Sequence, residues 1–185
     1  FESNLQYVER IVKFLLWQRG GYKLYVGGPR VIAEHLSKAY SADGEQKFDF
    51  HFMGEQVYEK PFTVIACKAD GVPAARETGK RLGRNLKGHR IGFDLGASDR
   101  KVSAVVDGIP IFSEEVIWEP GKHADPEYHY REILTALKTA ASKMTRVDAI
   151  GGSSAGIYID NRPMVASLFR GVPKERYGEI KNLFL

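Results

Sequence analysis

Residues 91–106 constrain the fold most, because two alternating runs flank a turn centred on Gly96. The first run is apolar at every second position, namely Ile91, Phe93 and Leu95. The second run, 102–106, leads into Asp107-Gly108, a strong signal for a two-residue hairpin turn. These signals predict three consecutive antiparallel strands, at about 90–95, 100–106 and 109–117.

The turn between the first two strands gathers the groups that bind a polyphosphate and its magnesium ion. It contributes a carboxylate, a glycine, a hydroxyl and a lysine, namely Asp94, Gly96, Ser98 and Lys101. Glycine lets backbone N–H groups approach phosphate oxygens, and the hydroxyl and the ammonium add donors. A carboxylate is a ligand suited to hydrated Mg²⁺. The turn therefore predicts a phosphate site.

The pattern Asp-x-Gly-x-(Ser/Thr)-x-x-(Lys/Arg) on a β-hairpin resembles the first phosphate loop of the actin, Hsp70 and sugar-kinase ATPase superfamily. Within that superfamily it looks most like the ROK sugar kinases and ROK-type regulators. The resemblance implies that Gly96, Ala97 and Ser98 contact ATP phosphates, that Lys101 adds positive charge, and that Asp94 holds Mg²⁺ through water. Ala97 replaces a family glycine and Asp99 adds a negative charge. Both departures argue against efficient ATP turnover.

The composition is that of a water-soluble globular chain, with 43% hydrophobic and 27% charged residues among 185. No apolar run approaches the length of a membrane-spanning helix, and no signal peptide is visible. The single Cys67 cannot form an internal disulfide, so we expect a cytoplasmic protein and no membrane partner. Lys and Arg outnumber Asp and Glu 14 to 10 in residues 1–88 and equal them, 13 to 13, in residues 89–185.

Residues 1–88 are predicted to form a small α+β module. Apolar residues at helical spacing predict a first helix that stops at Gly20-Gly21, followed by a strand over 22–26 and a helix that ends near Tyr40. Alternation of Phe48, Phe50 and Phe52 predicts a half-buried strand, and a further strand is expected over 62–67. A basic helix is predicted from 71–73 to about Leu86, with positively charged residues at Arg76, Lys80, Arg81, Arg84 and Lys87.

Residues 89–185 are predicted to have the element order βββαβ. A helix is expected over about 126–144 and another strand over 147–150. This order suits several α+β folds. The resemblance implies the ribonuclease-H-like (actin-like ATPase) half domain, and the fold class is therefore α+β / α/β. His123, Asp125 and His129 could bind a metal, but they are interpreted as surface residues at a helix start.

A Gly/Ser-rich stretch after the predicted strand 147–150 is interpreted as a loop that lets a ligand approach the backbone. It resembles the ROK stretch that shapes the sugar pocket. The resemblance implies substrate-side roles for seven residues, namely Gly151, Gly152, Ser153, Ser154, Gly156, Asp160 and Asn161. Asp160 and Asn161 also suit an ordinary hairpin turn, and that alternative stays open.

The resemblance covers residues 89–185 and implies only the N-terminal lobe of the family fold. The catalytic base is then unknown within this chain and is expected shortly beyond Leu185, so we expect a truncated chain that is not a competent kinase by itself. The implied function is the N-terminal part of an ATP-dependent sugar kinase or ATPase that uses ATP and Mg²⁺. Its implied partners are a sugar substrate or effector and a missing C-terminal lobe, and a homodimer is compatible with the sequence.

Two alternatives stay open. A non-catalytic ROK-type regulator would bind a sugar and contact DNA through residues 1–88, supported by the basic helix. Against it, those residues read as α/β rather than as a winged helix-turn-helix, so nucleic acid is not expected as a partner. An actin-like or reductive-activator ATPase is disfavoured, because activators usually carry cysteines for a cluster and this chain has only Cys67.

Overall fold

The computed structural model describes residues 2–76 and 83–185, which divide into two units, residues 1–79 and 80–185. The boundary that we predict from sequence, after Gly88, falls inside the second unit. Each unit has its own buried apolar cluster. Within the described ranges, no helix is both long and apolar enough to cross a membrane.

The first unit pairs two parallel strands that are connected through helices. Its main elements are α1 (Glu2–Arg19), β1 (Lys23–Gly27), α2 (Arg30–Ala39), α3 (Lys47–His51), a π-helix (Phe52–Tyr58) and β2 (Thr63–Cys67). The predicted end of the first helix is confirmed: Gly20 has a φ of 74°, and its N–H donates to the Leu16 carbonyl at 2.8 Å. This is the usual role of glycine just after a helix. Leu36 and Met53 are at the centre of the core.

The predicted strand at 48–52 is wrong, because these residues are helical. Phe48 and Phe52 are four residues apart, so both lie on one helix face, where their rings stack with centroids 5.5 Å apart. Between them, Asp49 is buried and accepts a hydrogen bond from the Trp17 indole at 3.1 Å. The helical turn places this buried carboxylate beside its partner on α1.

The predicted basic helix is only partly within the described residues. Residues 77–82, which include Lys80 and Arg81, lie outside them. The flanking residues 73–76 and 83–88 are not helical. Arg84 has a φ of 66°, which no helix residue adopts.

The second unit contains a mixed four-stranded sheet. Its strands are β3 (His89–Leu95), β4 (Asp99–Val106), β5 (Ile109–Ile117) and β6 (Ala149–Ser154), in the order β5-β4-β3-β6. β3 and β4, and β4 and β5, are antiparallel, whereas β6 runs parallel to β3. The crossover between β5 and β6 contains α4 (Pro126–Ala141). The predicted order βββαβ is confirmed, and the fold of this unit is α+β.

One face of the sheet is covered by α4. Ile91, Val102 and Ala104 pack there against Ala136 and Ala140. Because side chains alternate along a strand, the residues between these positions point to the other face. Past β6 come three shorter elements, β7 (Ile157–Ile159), β8 (Arg162–Val165) and α5 (Tyr177–Ile180).

His129 is not a surface residue as predicted, because its side chain is completely buried on α4. Its Nδ1 lies 3.1 Å from the Asp125 carbonyl oxygen and its Nε2 lies 3.0 Å from the Pro120 carbonyl oxygen. The imidazole therefore joins the start of α4 to the preceding turn. Burial lowers the pKa of His129, and the two carbonyls oppose that effect.

Candidate functional site

The β3–β4 turn is tight and braced from β5. The Gly96 N–H donates to the Asp99 carbonyl at 2.8 Å. A Cβ at position 96 would lie 2.9 Å from that carbonyl oxygen, so the turn needs glycine there. The buried Trp118 donates from its indole N–H to the Gly96 carbonyl at 2.9 Å and from its backbone N–H to the Ser98 carbonyl at 3.0 Å. Three hydrogen bonds consequently brace the turn.

Four polar residues form a row across the sheet beside this turn. The register pairs Ser153 with Asp94, Asp94 with Lys101, and Lys101 with Glu115. Directly paired residues point to the same face, and here it is the face away from α4. We call Ser153, Asp94, Lys101 and Glu115 the polar row.

Hydrogen bonds and ion pairs connect the polar row to the turn. The Ser153 hydroxyl donates to Asp94 Oδ1 at 2.5 Å. Lys101 Nζ lies 2.8 Å from Asp99 Oδ1 and 3.8 Å from Glu115 Oε1. The Ser98 hydroxyl donates to Asp99 Oδ2 at 2.9 Å. Asp99 therefore occupies both the hydroxyl and the ammonium that the sequence offered to phosphate.

The charge balance of this site is negative. The hydrogen bond to Asp99 raises the pKa of Lys101, and the charges of Glu115 and Asp94 add to the effect. Hydrogen bonds from Lys101 and Ser98 lower the pKa of Asp99. Three carboxylates thus surround one ammonium. A site with this net negative charge repels a bare phosphate.

The phosphate-site residues predicted from sequence all lie at this end of the sheet. Asp94 is a member of the polar row, and Lys101 is its cross-strand partner. Ala97 and Ser98 are exposed at the tip of the turn. The close approach to the Asp99 carbonyl oxygen is sufficient to account for glycine at position 96.

The Gly/Ser-rich stretch is a strand for most of its length, which corrects the predicted loop. Gly151, Gly152, Ser153 and Ser154 belong to β6 and pair with β3. A Cβ at position 152 would overlap the ring of Phe93, so glycine is needed there for packing. Gly156 has a φ of 145°, and a Cβ there would lie 2.5 Å from the Val165 carbonyl oxygen.

A cleft of about 590 Å³ opens beside β6. Its walls are mostly apolar and come from the sheet, from α4 and from the C-terminal residues, namely Phe93, Ile133, Leu134, Leu137, Ile150 and Phe184. Five of the predicted substrate-side residues line it, namely Gly151, Gly152, Ser153, Ser154 and Asn161. Gly156 and Asp160 do not line it. The cleft and the polar row share Ser153.

Two buried hydroxyls, those of Ser154 and Tyr158, lie next to each other in the cleft wall. Burial raises the pKa of Tyr158, and a hydrogen bond with Ser154 opposes that effect. Neither hydroxyl has another partner among the described residues, so each can still bond a polar group of a ligand.

Asp160 and Asn161 form the two-residue turn between β7 and β8. Their φ values are 50° and 63°, and Ile159 pairs with Arg162 across the turn. Two consecutive positive φ values are typical of a type I′ hairpin turn. The turn therefore accounts for both residue types.

The partners of the predicted phosphate residues come from distant parts of the chain. Glu115 is in the polar row only because the sheet register brings it beside Lys101. Ser153 reaches Asp94 from a strand 59 residues later. Strand alternation alone could have assigned Ser153 and Asp94 to one face, but only after β6 was recognised as a parallel neighbour of β3.

Among the described residues, no group of three or more His, Cys, Asp or Glu side chains is arranged to hold a metal ion. Any metal at the polar row would thus be held by Asp94 together with water and a ligand. A scan against protein-family models and a search of curated proteins each find no match to this chain.

Proposed function

We propose that the second unit is the ribonuclease-H-like half domain of a ROK-like, ATP-dependent sugar kinase or ATPase. The observation that carries this proposal is the polar row next to the braced β3–β4 turn. Both lie at the carboxyl ends of the parallel strands β3 and β6. Ligands of open α/β sheets bind outside the carboxyl ends of parallel strands. The strand order β5-β4-β3-β6 agrees with this fold.

In this proposal, Asp94 orients a hydrated Mg²⁺ ion and Ser153 orients Asp94. The Asp94 carboxylate is a hard oxygen ligand suited to Mg²⁺, with water and the phosphates as the other ligands. When bound, Mg²⁺ neutralises the charge of the ATP phosphates. Backbone N–H groups of Ala97 and Ser98 at the exposed tip then contact phosphate oxygens. Lys101 contributes only part of its charge, because Asp99 and Glu115 pair with it.

The acceptor side of the proposal is the cleft beside β6. A sugar presents hydroxyls and apolar C–H faces, and the cleft offers Asn161, two buried hydroxyls and an apolar wall. Ser153 connects the cleft to Asp94. A second lobe, closing over the nucleotide, would supply the base that takes the proton from the acceptor hydroxyl. The proposed setting is the cytoplasm.

The decisive experiment is ATP hydrolysis by the full-length protein with and without hexoses and amino sugars. We expect sugar-stimulated turnover that requires Mg²⁺. Asp94→Asn should lower Mg²⁺-ATP affinity roughly 10–100-fold, because it removes the charge that orients the metal. Asp70→Asn, an exposed residue of the first unit, is the matched control and should change nothing.

Two outcomes would overturn the kinase proposal. Unchanged Mg²⁺-ATP affinity in Asp94→Asn would remove the phosphate site. Sugar binding without turnover, together with DNA binding that weakens steeply with salt, would instead identify the regulator alternative.

A further inference from the structure

Helix α1 carries large apolar side chains on both faces. Val8, Val12 and Leu16 face inward and pack in the core of the first unit. A second set faces outward and is exposed, namely Tyr7 (67%), Ile11 (42%), Phe14 (60%) and Leu15 (46%). A helix that is apolar around most of its circumference is typical of a buried helix. The outward set therefore calls for a covering surface.

The exposed apolar surface continues from α1 onto α3. Trp17 and Phe48 are 49% and 63% exposed, and their rings stack with centroids 6.3 Å apart at an interplanar angle of 4°. The Trp17 indole is held by the buried Asp49, which also lies 3.1 Å from Lys13 Nζ. These rings are fixed in place, so little side-chain freedom is lost when something binds them. We call Tyr7, Ile11, Phe14, Leu15, Trp17 and Phe48 the outer α1 face.

The size and composition of the outer α1 face suit a protein interface. Aromatic side chains bury about 150–250 Å² each, so the six exposed portions together offer on the order of 700 Å². A standard interface buries about 800 Å² on each partner. Tyr, Trp and Phe are the residues enriched at such interfaces.

One stripe of α1 that runs through this face is nearly the same read in either direction. Ile11 is at the centre, an aromatic residue follows on each side, and a side-chain amide is at each end. The residues are Asn4, Tyr7, Ile11, Phe14 and Gln18. The alternating spacing of three and four residues is that of packed helix pairs. A two-fold symmetric contact needs such a self-complementary surface, because the same patch serves on both copies.

The helix dipoles also favour an antiparallel pair. In an antiparallel pair centred near Ile11, the dipoles of the two α1 helices oppose each other. We propose that the chain forms a homodimer in which two copies of α1 pack antiparallel through the outer α1 face. This inference is independent of the proposed function.

Sedimentation velocity of the 185-residue chain over a concentration series tests the proposal. We expect a monomer–dimer equilibrium, and we expect Phe14→Glu to raise the dimer dissociation constant at least about tenfold, as for a central interface residue. Circular dichroism should stay unchanged, because Phe14 is exposed. Ile109→Glu, at an equally exposed apolar residue of the second unit, is the matched control and should leave the dimer intact.

A chain that stays monomeric at about 100 μM, well above the micromolar range of ordinary complexes, would overturn the proposal. So would a dimer that is unaffected by Phe14→Glu, or a monomer that binds anionic vesicles through the outer α1 face.

Discussion

Two adjacent glycines of β6 differ in the space that is open to a side chain, so substitutions at them test how β6 packs. A Cβ at position 152 would overlap the Phe93 ring, whereas a Cβ at position 151 would meet nothing within 4 Å. We expect Gly152→Ala to lower the free energy of unfolding by about 1–3 kcal/mol, as for an overpacked site. Gly151→Ala should change it by less than about 0.5 kcal/mol, as for an open surface site. Urea denaturation measures both.

Equal effects at the two glycines would contradict the assigned orientation of β6. The Phe93 ring also lines the cleft, so its displacement in the Gly152→Ala variant should alter ligand binding there as well as stability. An altered affinity in this variant with unchanged stability would indicate that the ring moves freely.

Two histidines should contribute to the pH dependence of stability with opposite signs. Burial lowers the pKa of His129. Below about pH 6.5 the unfolded chain therefore binds a proton that the folded chain does not, and the free energy of unfolding falls as the pH drops. The loss has an upper limit of about 1.4 kcal/mol per pH unit for one proton. His129→Gln should flatten the profile between about pH 6.5 and 5.

His51 provides the control for this prediction. Its hydrogen bond to Glu55 raises the pKa of the exposed imidazole. Its contribution is thus complete below about pH 6.5 and is lost as the pH rises through the folded-state pKa. His51→Gln should weaken the protein more at about pH 5 than at about pH 8, and a change with the same sign as that of His129→Gln would refute the assignment.

At the scale of elements, the β4–β5 hairpin shows what a sequence can and cannot predict. The Asp107-Gly108 turn predicts the hairpin, and counting back from it would pair Lys101 with Glu114. A bulge at Ala104/Val105 shifts the register by one residue, so Lys101 pairs with Glu115 instead. Bulges follow from packing and not from the turn signal, so the composition of the polar row could not be predicted locally.

The wrong strand prediction over 48–52 comes from a periodic pattern that is too short. Over five residues, alternation of phenylalanines is also i, i+4 spacing, and a strand and a helix cannot then be distinguished. The tertiary partners of Asp49 decide for the helix. In β6 a strand was mistaken for a loop, because its glycines suggest a loop. The missing Cβ at Gly152 leaves room in this strand for the ring of Phe93.

The conformation of the β7–β8 turn predicts how substitutions at Asn161 change the stability of this hairpin. Type I′ turns favour Asn-Gly, so Asn161→Gly should keep or slightly raise the free energy of unfolding. Asn161→Val should lower it by about 1–2 kcal/mol, because a β-branched residue is strained at a φ of 63°. Thermal denaturation compares the two. If Asn161→Gly also abolishes sugar binding, the side chain acts on the ligand and not only on the turn.

At the scale of the molecule, each unit has its own core, and each should be destabilised separately. Leu36→Ala in the first unit should cost about 2–5 kcal/mol of local stability, as for a buried leucine. Hydrogen exchange of the amides in β3–β6 should stay unchanged. Ile133→Ala is the reciprocal variant, with loss of protection in the second unit alone. Loss of protection throughout the chain in either variant would indicate a single cooperative structure.

The candidate site could be predicted from the sequence only where it is local. Asp94 to Lys101 form one hairpin, so their proximity follows from one short, continuous motif. The cleft draws on residues from Phe93 to Phe184, and its polar partners depend on a parallel pairing between distant strands. Such long-range placement depends on packing and not on local sequence preferences.

Because Trp118 braces the β3–β4 turn, its fluorescence can report on that turn. The chain has two tryptophans, and they differ in environment: Trp118 is 3% exposed beneath the turn, and Trp17 is 49% exposed in the other unit. The hydrogen bonds of Trp118 end on Gly96 and Ser98, so whatever displaces the turn also changes the surroundings of its indole. In a Trp17→Phe background, the intrinsic emission of Trp118 becomes a label-free optical reporter of ligand arrival at the turn.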